Sequence, residues 1–174
     1  MSFFNYQQYY DSVASRNYKK YVEVGCYEGD SICYLAKALK PRWRQVEIYA
    51  VDLFEKITEE VDPIFHSHDG YWDRYEEKLK NENVRNKITD IRMHSIDAAK
   101  LFHDRDVDFV FLDAYKSYGS VMADIEAWYP KVSGYGTLAG HDAYMHSVDS
   151  AVRQFAEKNG RTYIKHSGDV WQIK

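Results

Sequence analysis

Val107-Asp108-Phe109-Val110-Phe111-Leu112-Asp113 is nearly continuous in apolar residues. A strand reads this way when helices cover both faces of its sheet, so an alternating polar side is not needed. Working outward, strands and helices alternate. Tyr21-Val22-Glu23-Val24-Gly25 forms a first strand running into a glycine loop. Residues 46–52 form a second that closes on Asp52, and residues 88–95 a third, in which Ile91 and Met93 alternate. Residues 136–140 form a fifth that opens onto His141 and Asp142.

The segments between them carry helical spacing. Ile32, Leu35, Ala36 and Leu39 share one face behind Asp30 or Ser31 as a cap. Trp72, Tyr75 and Leu79 share another, with Glu76 and Lys80 paired four residues apart. Val121, Ile125 and Trp128 mark a helix stopped by Pro130, and Val148, Ala151, Val152, Phe155 and Ala156 one that ends at Asn159-Gly160. A short helix over about residues 6–15 precedes the first strand. Residues 161–174 read as two short strands around Ser167-Gly168. The expected fold is α/β: a Rossmann-like, doubly wound, mostly parallel seven-stranded sheet with an antiparallel C-terminal hairpin and helices on both faces.

Composition narrows the class. The chain has 174 residues, 45% hydrophobic and 29% charged, which suits one globular domain over 1–174. Within it lie an N-terminal helical segment (1–18) and a long acidic connection (53–71) that could close as a lid over bound ligands, with Phe65, Tyr71 and Trp72 at its base, or be a disordered surface excursion. The net charge of -4 argues against a nucleic-acid partner. Neither a membrane span nor a signal peptide is expected, because apolar runs are short and the start is polar. Two cysteines, Cys26 and Cys33, make no disulfide framework, so a cytoplasmic location is expected. A homo-oligomer stays open, since aromatic residues favour interfaces and this chain has 16 tyrosines.

Open α/β sheets bind ligands at the carboxyl ends of their strands. The loop after the first strand is Glu23-x-Gly25-x-x-x-Gly29, with Cys26 and Tyr27 where a dinucleotide fingerprint wants glycine. A helix start attracts anions, yet Glu23, Glu28 and Asp30 crowd this one. Those acids suit a cationic ligand over a pyrophosphate, and Asp52 can accept both hydroxyls of a ribose.

In order along the chain, VEVGCYEGDS, YAVDLF, His94-Ser95, DFVFLDAYKSYGSVMADIEAW and GYGTLAGHD resemble a class I S-adenosylmethionine-dependent methyltransferase of the small-molecule O-methyltransferase branch. The resemblance implies that Glu23, Gly25, Cys26, Tyr27, Gly29 and Ser31 bind the methionine part of S-adenosylmethionine. It implies Asp52 on the ribose, Leu53 and Phe54 beside the purine, His94 and Ser95 at the adenine edge, and Asp113 near the reacting centre.

Two departures stand out. The branch's Asp-Gly-x-His becomes Asp113-Ala114-Tyr115-Lys116, and its Gly-Gly before the fifth strand becomes Tyr135-Gly136. Lys116 could replace the lost histidine as base if a sulfonium and burial lower its pKa, or it could be a solvated loop lysine. Asp113, His141 and Lys116 are the candidate catalytic residues. Asp113 and Asp142 stand where metal-dependent relatives hold Mg²⁺, with hydrogen bonding or cofactor contact as the alternative. His66, His68 and Asp69 lack a third convergent ligand of their own. Cys26 is read as a small loop residue whose thiol Glu28 and Asp30 push up, and Asp124 as a structural acceptor. The resemblance implies a small molecule or sugar-type hydroxyl as the acceptor. A nicotinamide oxidoreductase and a non-catalytic methyltransferase-like module are the rivals; the missing fingerprint glycines, the acids at the helix start and the C-terminal hairpin speak against the first, and the loop glycines with Asp52 against the second.

Overall fold

The computed structural model describes residues 4–54 and 70–174. In chain order it contains α1 (Gln7–Ala14), β1 (Lys20–Val24), α2 (Asp30–Ala38), β2 (Glu47–Asp52), α3 (Tyr71–Asn81), β3 (Ile88–Arg92) and α4 (Ser95–Ala99). There follow β4 (Val107–Leu112), α5 (Tyr118–Trp128), β5 (Val132–Gly140), α6 (His146–Lys158), β6 (Tyr163–His166) and β7 (Val170–Ile173). The seven strands form one sheet in the order β3-β2-β1-β4-β5-β7-β6. Neighbours from β3 to β5 pair in parallel, and β7 runs antiparallel to both β5 and β6. The chain winds outward from β1 in one direction and restarts at β4 in the other. That reversal opens a crevice at the carboxyl ends of β1 and β4.

All six residues of β4 are buried, as its apolar run requires. Phe109 and Phe111 join Tyr21, Ile32, Leu35, Tyr75 and Leu79 on one face of the sheet. Val110 and Leu112 join Val22, Val24, Ile125, Trp128 and Val152 on the other. The tyrosines gather on the first face. Tyr6, Tyr9, Tyr10, Tyr18, Tyr21, Tyr71 and Tyr75 all belong to that cluster. A buried phenol needs a hydrogen-bond partner, and the fold supplies them. The Tyr10 hydroxyl donates to Glu23 at 2.7 Å, Tyr9 to Gln172 at 3.1 Å, and Tyr75 to Asp90 at 2.6 Å. The first two bonds fix α1 across the sheet, and the third ties α3 to β3.

Three local expectations are corrected. Strand β3 stops at Arg92, and residues 95–99 form the short helix α4, whose Ala98 and Ala99 are buried against the second face. Strand β5 begins at Val132, four residues early, because a register shift between Val107 and Phe109 leaves Gly134 and Tyr135 exposed and erases the apolar pattern there. Neither Asp30 nor Ser31 caps α2. Gly29 does so in a left-handed conformation, while Asp30 pairs with Lys78 and the Ser31 hydroxyl turns to Glu23. The Glu76–Lys80 pair forms at 3.4 Å. Most of the 53–71 connection, with Phe65, His66, His68 and Asp69, lies outside the described residues. No helix among those described is long and apolar enough to cross a membrane.

Candidate active site

The carboxyl ends of β1, β2, β4 and β5 bring the predicted residues to one edge of the sheet. Gly25 makes this possible. Its φ is +85°, and a Cβ there would lie 2.5 Å from the Asp113 carbonyl, so only glycine lets the first loop close on the end of β4. The Gly25 amide donates to Val51 and the Asp113 amide to Val24, locking the three strand ends together.

Glu23 sits beneath this loop, 1% exposed. It accepts hydrogen bonds from Tyr10 at 2.7 Å and Ser31 at 2.5 Å. Burial pushes its carboxyl up to about 8, against the lowering effect of those two bonds; Asp113 and Asp52 add to the rise. Cys26 is buried beside it, and burial, then Glu23, Asp52 and Asp90, push its thiol up. The inert thiol matches the reading from sequence, but Glu28 and Asp30 are not its cause.

Asp52 ties the loop from below. Its Oδ2 accepts the Cys26 and Tyr27 amides at 2.8 and 3.2 Å and the Tyr71 hydroxyl at 3.2 Å; its Oδ1 accepts the Phe54 amide at 2.9 Å. Oδ2 thus carries three donors, while Oδ1 carries one and keeps an acceptor site open. One ribose hydroxyl can reach Oδ1, and a second on Oδ2 has to displace a donor, of which Tyr71 is the one that is a side chain. Phe54 turns inward, 3% exposed, with its ring 4.9 Å from Trp72 and 4.5 Å from Tyr75. Of the pair expected beside a purine, only half-buried Leu53 stays at the open edge. His94 is exposed ahead of α4. The Ser95 hydroxyl is engaged by the Trp128 indole at 3.0 Å and bonds to Asp124, whose carboxyl burial raises.

At the mouth of β4 and β5, four charged groups meet. The Lys116 ammonium bonds to Asp113 Oδ1 and lies 3.0 Å from Asp142 Oδ2. His141 Nδ1 faces the same two carboxylates at 3.6 and 3.3 Å. Burial works against the imidazolium, but hydrogen bonds and charge from Asp113 and Asp142 outweigh it and raise His141 to about 9. Lys116 is likewise raised despite desolvation, by the charges of Asp113 and Asp142 and its hydrogen bonds to them. Asp142, in a left-handed conformation at φ +60°, is held well below the usual carboxylate range; burial opposes this, and His141 and Lys116 cause it. Asp113 and Asp142 thus favour the charged forms of both Lys116 and His141, the opposite of the form a base needs.

Two residues here had no signal in the sequence. The Tyr6 hydroxyl donates to Asp113 Oδ2 at 3.1 Å, and Asn5 Oδ1 meets His141 Nε2 at 3.1 Å. The segment before α1 thus forms the roof of the site. Its tyrosines could be counted from the sequence, but no spacing ties residue 6 to residue 113.

A methyltransferase-domain family model matches residues 22–143, from within β1 to just past Asp142. The chain belongs to this methyltransferase family. The resemblance to class I S-adenosylmethionine-dependent methyltransferases drawn from the sequence therefore holds. Solved methyltransferase structures share the fold. The S-adenosylhomocysteine-bound PaMTH1 of Podospora anserina superposes with a TM-score of 0.72 at 14% identity, over 97% of this chain and 76% of that one. The O-methyltransferase NovP gives 0.72 at 16% identity, over 97% and 76%. The O-methyltransferase TomG of Streptomyces achromogenes, solved with S-adenosylmethionine, gives 0.70 at 15%, over 96% and 77%. No curated protein sequence matches the chain.

Proposed function

We propose that this methyltransferase uses S-adenosylmethionine to methylate a hydroxyl of a small molecule or sugar-type acceptor. The observation that carries the reading is Asp52 at the end of β2, a carboxylate beside the crevice between β1 and β4 that can accept a ribose diol. Cys26 and Tyr27 stand where a dinucleotide fingerprint wants glycine, which disfavours a nicotinamide cofactor. The solved O-methyltransferases with the same sheet support oxygen as the acceptor atom.

When bound, the sulfonium supplies an electrophilic methyl carbon and leaves as a neutral thioether. The protein's part is to bind, orient and exclude water. Asp52 would hold the ribose in place of the Tyr71 hydroxyl, with Leu53 beside the purine and His94 near its edge. Tyr6 and Asn5 cover the reacting centre and keep it dry. The acceptor hydroxyl is placed against Asp113, whose carboxylate receives the proton as the oxygen gains the methyl group. The cations of Lys116 and His141 offset the partial negative charge that the oxygen carries as its proton leaves.

The test is transfer of radiolabelled methyl groups from S-adenosylmethionine to a panel of small phenols and free sugars. Methylation of at least one hydroxyl acceptor, lost on Asp113→Asn, is expected. Transfer only to amines or thiols, or labelling that survives Asp113→Asn, would overturn the assignment to oxygen and to Asp113.

A further inference from the structure

We propose that the Lys116 ammonium is the site's built-in cation, held where a divalent metal ion would otherwise sit. The proposal rests on the methyltransferase reading only for its purpose, and its test does not need an acceptor. Among the described residues, Asp113, His141 and Asp142 are the only group of three side chains whose donor atoms converge well enough to hold a metal, all within 4.8 Å of one another. Two carboxylate oxygens and an imidazole nitrogen would suit Mn²⁺ or Zn²⁺ better than Mg²⁺.

The ammonium already occupies that convergence. It bonds to Asp113 Oδ1 and contacts Asp142 Oδ2 at 3.0 Å, so it uses one oxygen of each carboxylate that a metal would need. Other donors are committed as well. Asp113 Oδ2 takes the Tyr6 hydroxyl, and His141 Nδ1 faces the Asp113 and Asp142 carboxylates at 3.6 and 3.3 Å. A divalent ion entering here would meet a like charge at contact distance and would have to expel it.

The backbone places the lysine for this task. Lys116 lies three residues after Asp113, where β4 has ended, and next to Ser117. The Ser117 side chain caps α5 by accepting the Ser120 amide at 3.2 Å. The turn is therefore pinned at both ends, and the short path between them aims the lysine back at its own strand end. In this account Lys116 is a positioning residue. It keeps Asp113 and Asp142 together and presents a fixed positive charge beside the acceptor oxygen, without a metal to be acquired or lost.

The experiment titrates Mn²⁺ alone into the full chain and follows the free ion by electron paramagnetic resonance. The parent, Lys116→Ala, Lys116→Met and Lys116→Arg are compared, and S-adenosylhomocysteine binding is measured on the same samples. The parent and Lys116→Arg are expected to leave Mn²⁺ free up to millimolar concentration. Lys116→Ala or Lys116→Met is expected to bind it at least tenfold more tightly, and adding Asp142→Asn should abolish that gain. Micromolar Mn²⁺ binding by the parent that is lost in Asp113→Asn would overturn the proposal, as would no gain in either folded lysine variant. The parent arm depends on no variant folding. Loss of S-adenosylhomocysteine binding by the parent would instead count against the cofactor reading.

Discussion

Glu23 and His141 set the pH response of this protein. Both have folded-state pKa values above their ordinary ones, to about 8 and about 9. The fold therefore binds more protons than the unfolded chain between roughly pH 4.5 and 9, and stability falls as pH rises through that window. Glu23's contribution is complete below its unfolded value and lost through about 8; His141's is lost through about 9. Melting temperature measured from pH 5 to 9 is expected to fall, and to fall less in Glu23→Gln, whose amide keeps an acceptor for Tyr10 or Ser31. A flat profile in the parent would remove this account of Glu23. Gly25 gives a second prediction. Gly25→Ala adds a left-handed alanine and a backbone clash at 2.5 Å, so urea unfolding should show a loss of ~3 kcal/mol or more. The same lack of room means that glycine serves the chain's own packing before any ligand. From sequence, Gly25, Asp52 and Asp113 could be read as site residues because their places at strand ends follow from the period of the strands. The contact of Lys116 with Asp142 could not, since it depends on how the ends of β4 and β5 meet in the folded chain.

Helix α1 is the element whose role grew most. Its hydrophobic spacing announces a helix, yet nothing local says that it lies on the sheet beneath the site. Tyr10 is fully buried, bonded to Glu23, and stacked edge-on against Phe109 and Phe111 at 5.9 and 5.1 Å. Tyr10→Ala should cost about 3–5 kcal/mol in urea unfolding, while Tyr10→Phe should cost only about 1 kcal/mol, the usual worth of one hydrogen bond. Equal losses would mean that the hydroxyl bond, and not the ring, anchors the helix. Strands β1, β2 and β4 were legible because their burial is dictated by apolar runs. The start of β5 and helix α4 were not, because exposed Gly134 and Tyr135 and a five-residue helix leave almost no periodic trace.

At the scale of the molecule, one sheet reversal decides where the chemistry sits. The order β3-β2-β1-β4-β5-β7-β6 places Glu23, Asp52, Asp113 and the His141–Asp142 pair on a single edge, although they span 120 residues of chain. That convergence was readable in outline from alternating strands and helices, and the parallel pairing of β1 with both β2 and β4 realises it. The closure above it, by Asn5 and Tyr6, required the folded chain. Calorimetric titration of S-adenosylhomocysteine into the full chain and into Asp52→Ala tests the central claim most directly. One molecule bound per chain, weakened about a hundredfold or more in Asp52→Ala, is the expected result. No binding by the parent, or equal binding by both, would contradict a cofactor site at the ends of β1 and β2.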